Sequence, residues 1–236
     1  MAKRLVFLPL SSFPFVREMP IEFEWHRGFA KIQVQKSICS LHNSAAKQGI
    51  SPILEISSKS PDPLGVSLSA FNLKASFSNE APISVECAFQ GSKVFQKGGP
   101  YTDLYTVSSR DAKTDPRIRN SGDIIAFSFL NEDFPTKPIT AFYDWLYIIA
   151  LSQNPHLAEK LSSFRGFSDI AFNQLKSLNC QARSAALFVA LSKSIEIERI
   201  VRDKKYYLNL MTGIKVQSTE KIATQLELLL CGIPGT

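Results

Sequence analysis

The chain has 236 residues, 44% of them hydrophobic and 20% charged, the balance of an ordinary globular protein. No apolar run approaches the roughly 20 residues that a membrane helix needs, so no membrane partner is expected. A formal net charge of +6 permits phosphate contacts with nucleic acid but does not require them. Cys39, Cys87, Cys180 and Cys231 are scattered, without a C-x-x-C pair, and His26, His42 and His156 are isolated. Reduced thiols, no metal, no cofactor and a cytoplasmic location are expected. No stretch reads as a linker, so residues 1–236 are taken as one domain.

In chain order, MAKRLVFLPLSSFPF has a short apolar part broken by two prolines. It reads as mature protein and as an edge strand rather than a signal peptide. FEWHRGFAKIQVQKSICSLHNSAAKQG mixes strand and helix periods before a helix. Its Arg27, Lys31 and Lys36 interleave with Phe23, Trp25 and Phe29. That pattern suits a stacked base with its phosphates, or equally an amphipathic element with buried aromatics. ILEIS reads as a short strand, followed by a turn at SPDPLG. Ser57, Ser58 and Lys59 stand at the strand's end, where site residues often sit.

PISVECAFQGSKVF, Pro82 to Phe95, is the stretch around which the chain is organised. Ser84 is an N-cap and the pattern from Val85 is helical. Glu86, Gln90 and Lys93 fall at i, i+4 and i+7 as a polar stripe opposite Val85, Ala88, Phe89 and Phe95. A solvated helix face is the plain alternative. QKGGPYTDLY follows, where Gly98 and Gly99 allow close backbone approach to a ligand. Arg117 and Arg119 in DPRIRNSG are donor forks suited to a pyrophosphate. DIIAFSFLN reads as a strand, and an apolar helix begins after Thr140. Asn154 and Pro155 open a second helix that runs on through HLAEKLSSF. NCQARSAALFVALS makes a third, with Asn179 and Gln181 at its start to meet a ligand or cap the helix. RIVRDKKYYLNLMTG is basic and aromatic, and KIATQLELLLCGIPGT reads as a final helix.

PISVECAFQGSKVF resembles the PTSEHYFQAQKF-type motif of the YbiA-like, or NADAR, family of N-glycosidases. Ile53 to Leu73 is similar to that family's INFYS…YG.FSNF segment. Ala150 to Phe172 resembles its A.F.Q.PELR..LL..T…LVE stretch, and Leu175 to Leu187 its GKN.LG..LM end. The match spans roughly residues 50 to 195, with elaborations at both ends. GSKVFQKGGPYTDLY and the upstream QKSICSLH are most similar to the branch encoded beside DarT-type DNA ADP-ribosyltransferase toxins. FSDIAFNQLKSLN lacks the family's YWG-type aromatic motif, so a pocket wall should differ.

The resemblance implies an α+β fold, a single mainly helical domain with a few short strands. It implies removal of ADP-ribose from guanine bases in DNA, by hydrolysis of the ribose N-glycosidic bond, as the antitoxin to a DarT-type toxin encoded nearby. The implied catalytic residues are Glu86, Lys93, Lys59 and Lys36, with the choice of lysine open. The implied ligand contacts are Ser57, Ser58, Phe71, Asn72, Gln90, Gly91, Gly98, Gly99, Tyr101, Asn179 and Gln181. The partners would be ADP-ribosylated DNA and the product ADP-ribose. Two other readings stay open: a non-catalytic module that binds ADP-ribose or ADP-ribosylated DNA, and an N-glycosidase of a small ribosylamine metabolite.

Overall fold

A computed structural model describes residues 1–77, 81–172, 179–193 and 197–213. The chain opens with β1 (Ala2–Pro9), β2 (Val16–Phe23) and α1 (Lys31–Ala46). Then come β3 (Ile53–Glu55), α2 (Pro63–Ser67), β4 (Lys74–Ala75), β5 (Ile83–Ser84) and α3 (Val85–Gly91). β6 (Lys93–Phe95) is followed by a 3-10 turn, α4 (Ser109–Thr114), α5 (Pro116–Asn120), β7 (Ile124–Phe129) and β8 (Glu132–Phe134). The last described elements are α6 (Ala141–Ser152), α7 (Pro155–Ala158), a 3-10 turn at Glu159–Ser163, β9 (Gly166–Ser168), α8 (Gln181–Ser192), α9 (Ile197–Arg202) and α10 (Lys204–Met211). The fold is α+β. The projected C-terminal helix and Cys231 lie outside the described residues.

Four strands form the main sheet, in the order β2-β1-β9-β3. β1 pairs antiparallel with both β2 and β9, and β3 runs parallel to β9. The N-terminal strand is therefore interior, not an edge. The reason lies in its unbroken LVFL run, which serves two covered faces. Val6 and Leu8 join Ile21, Phe23, Ile38 and Leu41 beneath α1, while Phe7 points into the larger core with α6 and α8. The helix period won in α1: Ile38 and Leu41 are buried and Ile32 is exposed.

α6 is apolar almost all round and sits centrally. Its Asp144 is fully buried, and accepts hydrogen bonds from Arg183 and from Ser184 Oγ, the latter at 2.6 Å. Asn154 does not cap α7 with its side chain. It ties the end of α6 to β4 instead, donating to the Ala150 and Lys74 carbonyls. The helix expected through HLAEKLSSF is α-helical only to Ala158 and then tightens into the 3-10 turn.

Ser84 caps α3 as expected, its hydroxyl accepting from Cys87 N–H at 3.1 Å. The helix stops at Gly91, two residues before Lys93. Gly91 and Ser92 are weak helix formers, and Val94 and Phe95 favour the strand that follows. β6 pairs with β7, which pairs with β8, and this small sheet stands beside α3.

Candidate active site

Every residue of α3 is buried, its polar ones included. A solvated face is thereby excluded. The polar side chains line a cleft of about 1100 Å³ between α3, the end of β3, the turn after β9 and the start of α8. In it Gln90 Nε2 donates to Glu86 Oε1 at 2.9 Å, and Lys93 Nζ donates to Gln90 Oε1 at 2.6 Å. Although Lys93 lies beyond the helix, the turn at Ser92 brings its side chain back to the stripe. Its amine also rests 4.5 Å from the centre of the Phe89 ring.

Burial pushes the Lys93 pKa down to about 8, and the Lys113 charge adds to that. The Glu86 carboxylate opposes both. Lys113 reaches in from α4, with its ammonium 3.6 Å from Glu86 Oε1 and 5.1 Å from the centre of the Phe71 ring. Both contacts to Glu86 use Oε1. Among the described residues no hydrogen bond reaches Oε2. Tyr143 on α6 completes this wall, and burial together with the Glu86 charge holds its hydroxyl protonated.

The opposite wall is held by Gln181. Its Oε1 accepts from Ala70 N–H at 2.8 Å, and its Nε2 donates to the Ile56 carbonyl at 2.7 Å and to Asp169 Oδ2 at 3.0 Å. Asp169 faces the cleft, and burial pushes its carboxyl up to about 6. Behind it, Glu55 is pushed up to about 7 by burial and by the Asp169 charge. Glu55 accepts from Ile170 N–H at 2.9 Å and from Ser168 Oγ at 2.5 Å, and Ser168 Oγ also meets His42 Nε2 at 2.8 Å. These contacts tie β3, β9 and α1 together behind the cleft. Among the described residues no group of three His, Cys, Asp or Glu side chains is placed to hold a metal ion.

A family model for the DarT1-associated NADAR antitoxins matches residues 2–221. The chain belongs to that family. No curated protein matches it. Membership makes this NADAR chain an antitoxin of the DarT1-associated type, with a DarT toxin as its implied partner. The match takes in β1, β2 and α1 as well as the stretch from 50 to 195. Among the described residues no helix is long and apolar enough to cross a membrane.

The cleft of this NADAR antitoxin gathers Glu86, Lys93, Gln90, Ser57, Ser58, Phe71, Asn179 and Gln181. Asn179 precedes the N-cap of α8, which is Cys180, so it is not the cap. Lys59 lines a smaller hollow next to the cleft, and Lys36 lines a separate depression on α1. Asn72 is exposed and donates to the Val66 carbonyl at 2.8 Å. Tyr101 bonds Ser121 Oγ at 2.6 Å and packs on Phe95, behind the cleft's lining rather than in it. The glycines serve the backbone. At Gly91 a Cβ would lie 2.4 Å from Tyr105 Cε1, and at Gly99, with φ of +88°, it would lie 2.2 Å from the Lys93 carbonyl oxygen. Gly98, with φ of +146°, shares that turn. Arg117 is no open fork for pyrophosphate, because Asp103 and Asp115 both hold its guanidinium.

Lys113, Asp169 and Tyr143 escaped the sequence reading. Each is far from the Glu86 motif in the chain and has no local pattern of its own. Asp169 lies inside the family-like stretch from Ala150 to Phe172, and that placement is its only signal.

Proposed function

We propose that this NADAR antitoxin is a DNA ADP-ribosyl glycohydrolase that hydrolyses the bond between ribose C1″ and the guanine amino nitrogen. The observation that carries the reading is the Glu86–Gln90–Lys93 chain, with its softened lysine, inside a cleft large enough for a nucleotide-sized ligand. A lysine whose pKa is near 8 supplies free amine at neutral pH, whereas an ordinary lysine supplies almost none.

In this reading the Lys93 amine attacks C1″ while the C1″–N bond to guanine breaks. Glu86 steadies the positive charge that grows on C1″. The proton shed by the lysine nitrogen passes to Glu86 through a water in the cleft, since Gln90 keeps the two side chains apart, and Glu86 delivers it to the departing guanine nitrogen, which leaves as the amine. Opening of the ribose ring leaves C1″ as an imine on Lys93. Water activated by Glu86 adds to that imine, the lysine is expelled, and the product is ADP-ribose. Phe71 and Phe172 offer apolar walls to the bases, and Ser57, Ser58 and Asn179 offer polar contacts.

The test is incubation with an oligonucleotide carrying an ADP-ribosylated guanine. Released ADP-ribose and a restored guanine are expected. Intact substrate after binding would leave the non-catalytic module, and release from a free ribosylamine alone would leave the small-metabolite reading.

A further inference from the structure

We propose that the hollow beside the cleft is a stacking site for an unpaired base of the strand that flanks the modified guanine. It rests on the reading of the chain as acting on DNA. The hollow encloses about 480 Å³ and is walled by Trp25, Phe29, Val34 and Ile170, with Arg27 and Lys59 at its sides. It shares Ser57, Ser58 and Ala171 with the main cleft, so one serine rim separates the two. A chain seated in the cleft meets this hollow as it leaves.

The aromatic residues are unusually bare. Phe29 is 94% exposed and Trp25 is 37% exposed, although neighbouring Phe23 is fully buried. Exposed apolar side chains gathered around one hollow, rather than scattered singly, mark a ligand or partner site. Their loop is fixed in place: Lys59 Nζ donates to the Phe29 carbonyl at 2.9 Å, and the Arg4 guanidinium lies 5.3 Å from the centre of the Trp25 ring. Arg27 and Lys59 bring positive charge, and no carboxylate appears among the described lining residues. Apolar faces flanked by cations fit a base and its phosphate, the usual means of holding single strands without reading sequence. The adenine of ADP-ribose is the competing occupant, but the cleft is by itself roomy enough for a ligand of that size.

The test measures the binding of a labelled, unmodified single-stranded oligonucleotide of about 12 nucleotides, within the usual site size. It needs no turnover, so it stands apart from the glycohydrolase assay. Trp25→Ala and Phe29→Ala should each weaken binding by roughly tenfold, the scale of one lost stacking contact, and Trp25→Phe should keep most of it. Saturating ADP-ribose should not displace the oligonucleotide. On modified substrates the alanine variants should raise KM for the oligonucleotide and leave ADP-ribosyl-deoxyguanosine unchanged. Unaltered DNA affinity in both variants overturns the inference, as does a wild type that binds no single strand. Weaker binding of ADP-ribose itself by Trp25→Ala also overturns it, by placing the adenine there. Trp25-dependent DNA binding without ADP-ribose release would sink the glycohydrolase reading and leave this one standing.

Discussion

Lys93 does not touch Glu86, because the amide of Gln90 stands between them. A direct ion pair would pull the lysine pKa back up. The interposed amide keeps the amine near the carboxylate while burial dominates its titration.

The pH dependence follows with a definite sign. The Lys93 amine is protonated below about pH 8 and free above it. The single-turnover rate should therefore climb with pH to about 8 and then level off. Gln90→Glu would set a carboxylate directly against the amine. The rising limb should then move to higher pH, by about a unit or more. A limb that stays in place would disconnect Lys93 from the rate.

The covalent step is open to trapping. Borohydride added during turnover should reduce an imine and leave the opened ribose bonded to Lys93, visible as added mass on its peptide. Lys93→Arg should abolish the adduct. An adduct on Lys113 would transfer the role to α4. No adduct, with a rate that falls above pH 8, would make Lys93 a proton donor instead.

Lys113 tests the electrostatics without the core. Its side chain is 57% exposed, so its contact with Glu86 adds little to stability. Lys113→Met should change stability by less than about 0.5 kcal/mol. It should also raise the Lys93 pKa, because one of the influences that lower it is gone. The pH–rate profile and a thermal melt check both.

Gln181 and Asn179 share a wall but should respond differently. Gln181→Leu strands the Ala70 N–H, the Ile56 carbonyl and Asp169, at a cost of roughly 1–3 kcal/mol. Asn179→Ala should raise KM or slow turnover with little change in melting temperature. Denaturation and steady-state kinetics on both variants separate scaffold from ligand contact.

The stripe of α3 was legible because Ser84, Glu86 and Gln90 obey local rules of capping and periodicity. The rest of the site was not, since Lys113, Tyr143 and Asp169 reach it only through tertiary packing. The same limit explains β1: a short apolar run marks a strand, but its neighbours come from β2 and from β9, the latter far along the chain. Arg117 looked like a ligand fork because a guanidinium is usually free to bind. Asp103 and Asp115, one of them distant, had already claimed it.

The most direct measurement is single-turnover release of ADP-ribose by Glu86→Gln. The change keeps the size of the side chain and removes its charge and basicity. The account predicts a folded protein that still binds ADP-ribosylated DNA, with a rate at least about a hundredfold below wild type. It also predicts that the variant fails to protect a cell carrying the toxin. A near-normal rate would remove Glu86 from the mechanism and contradict the account.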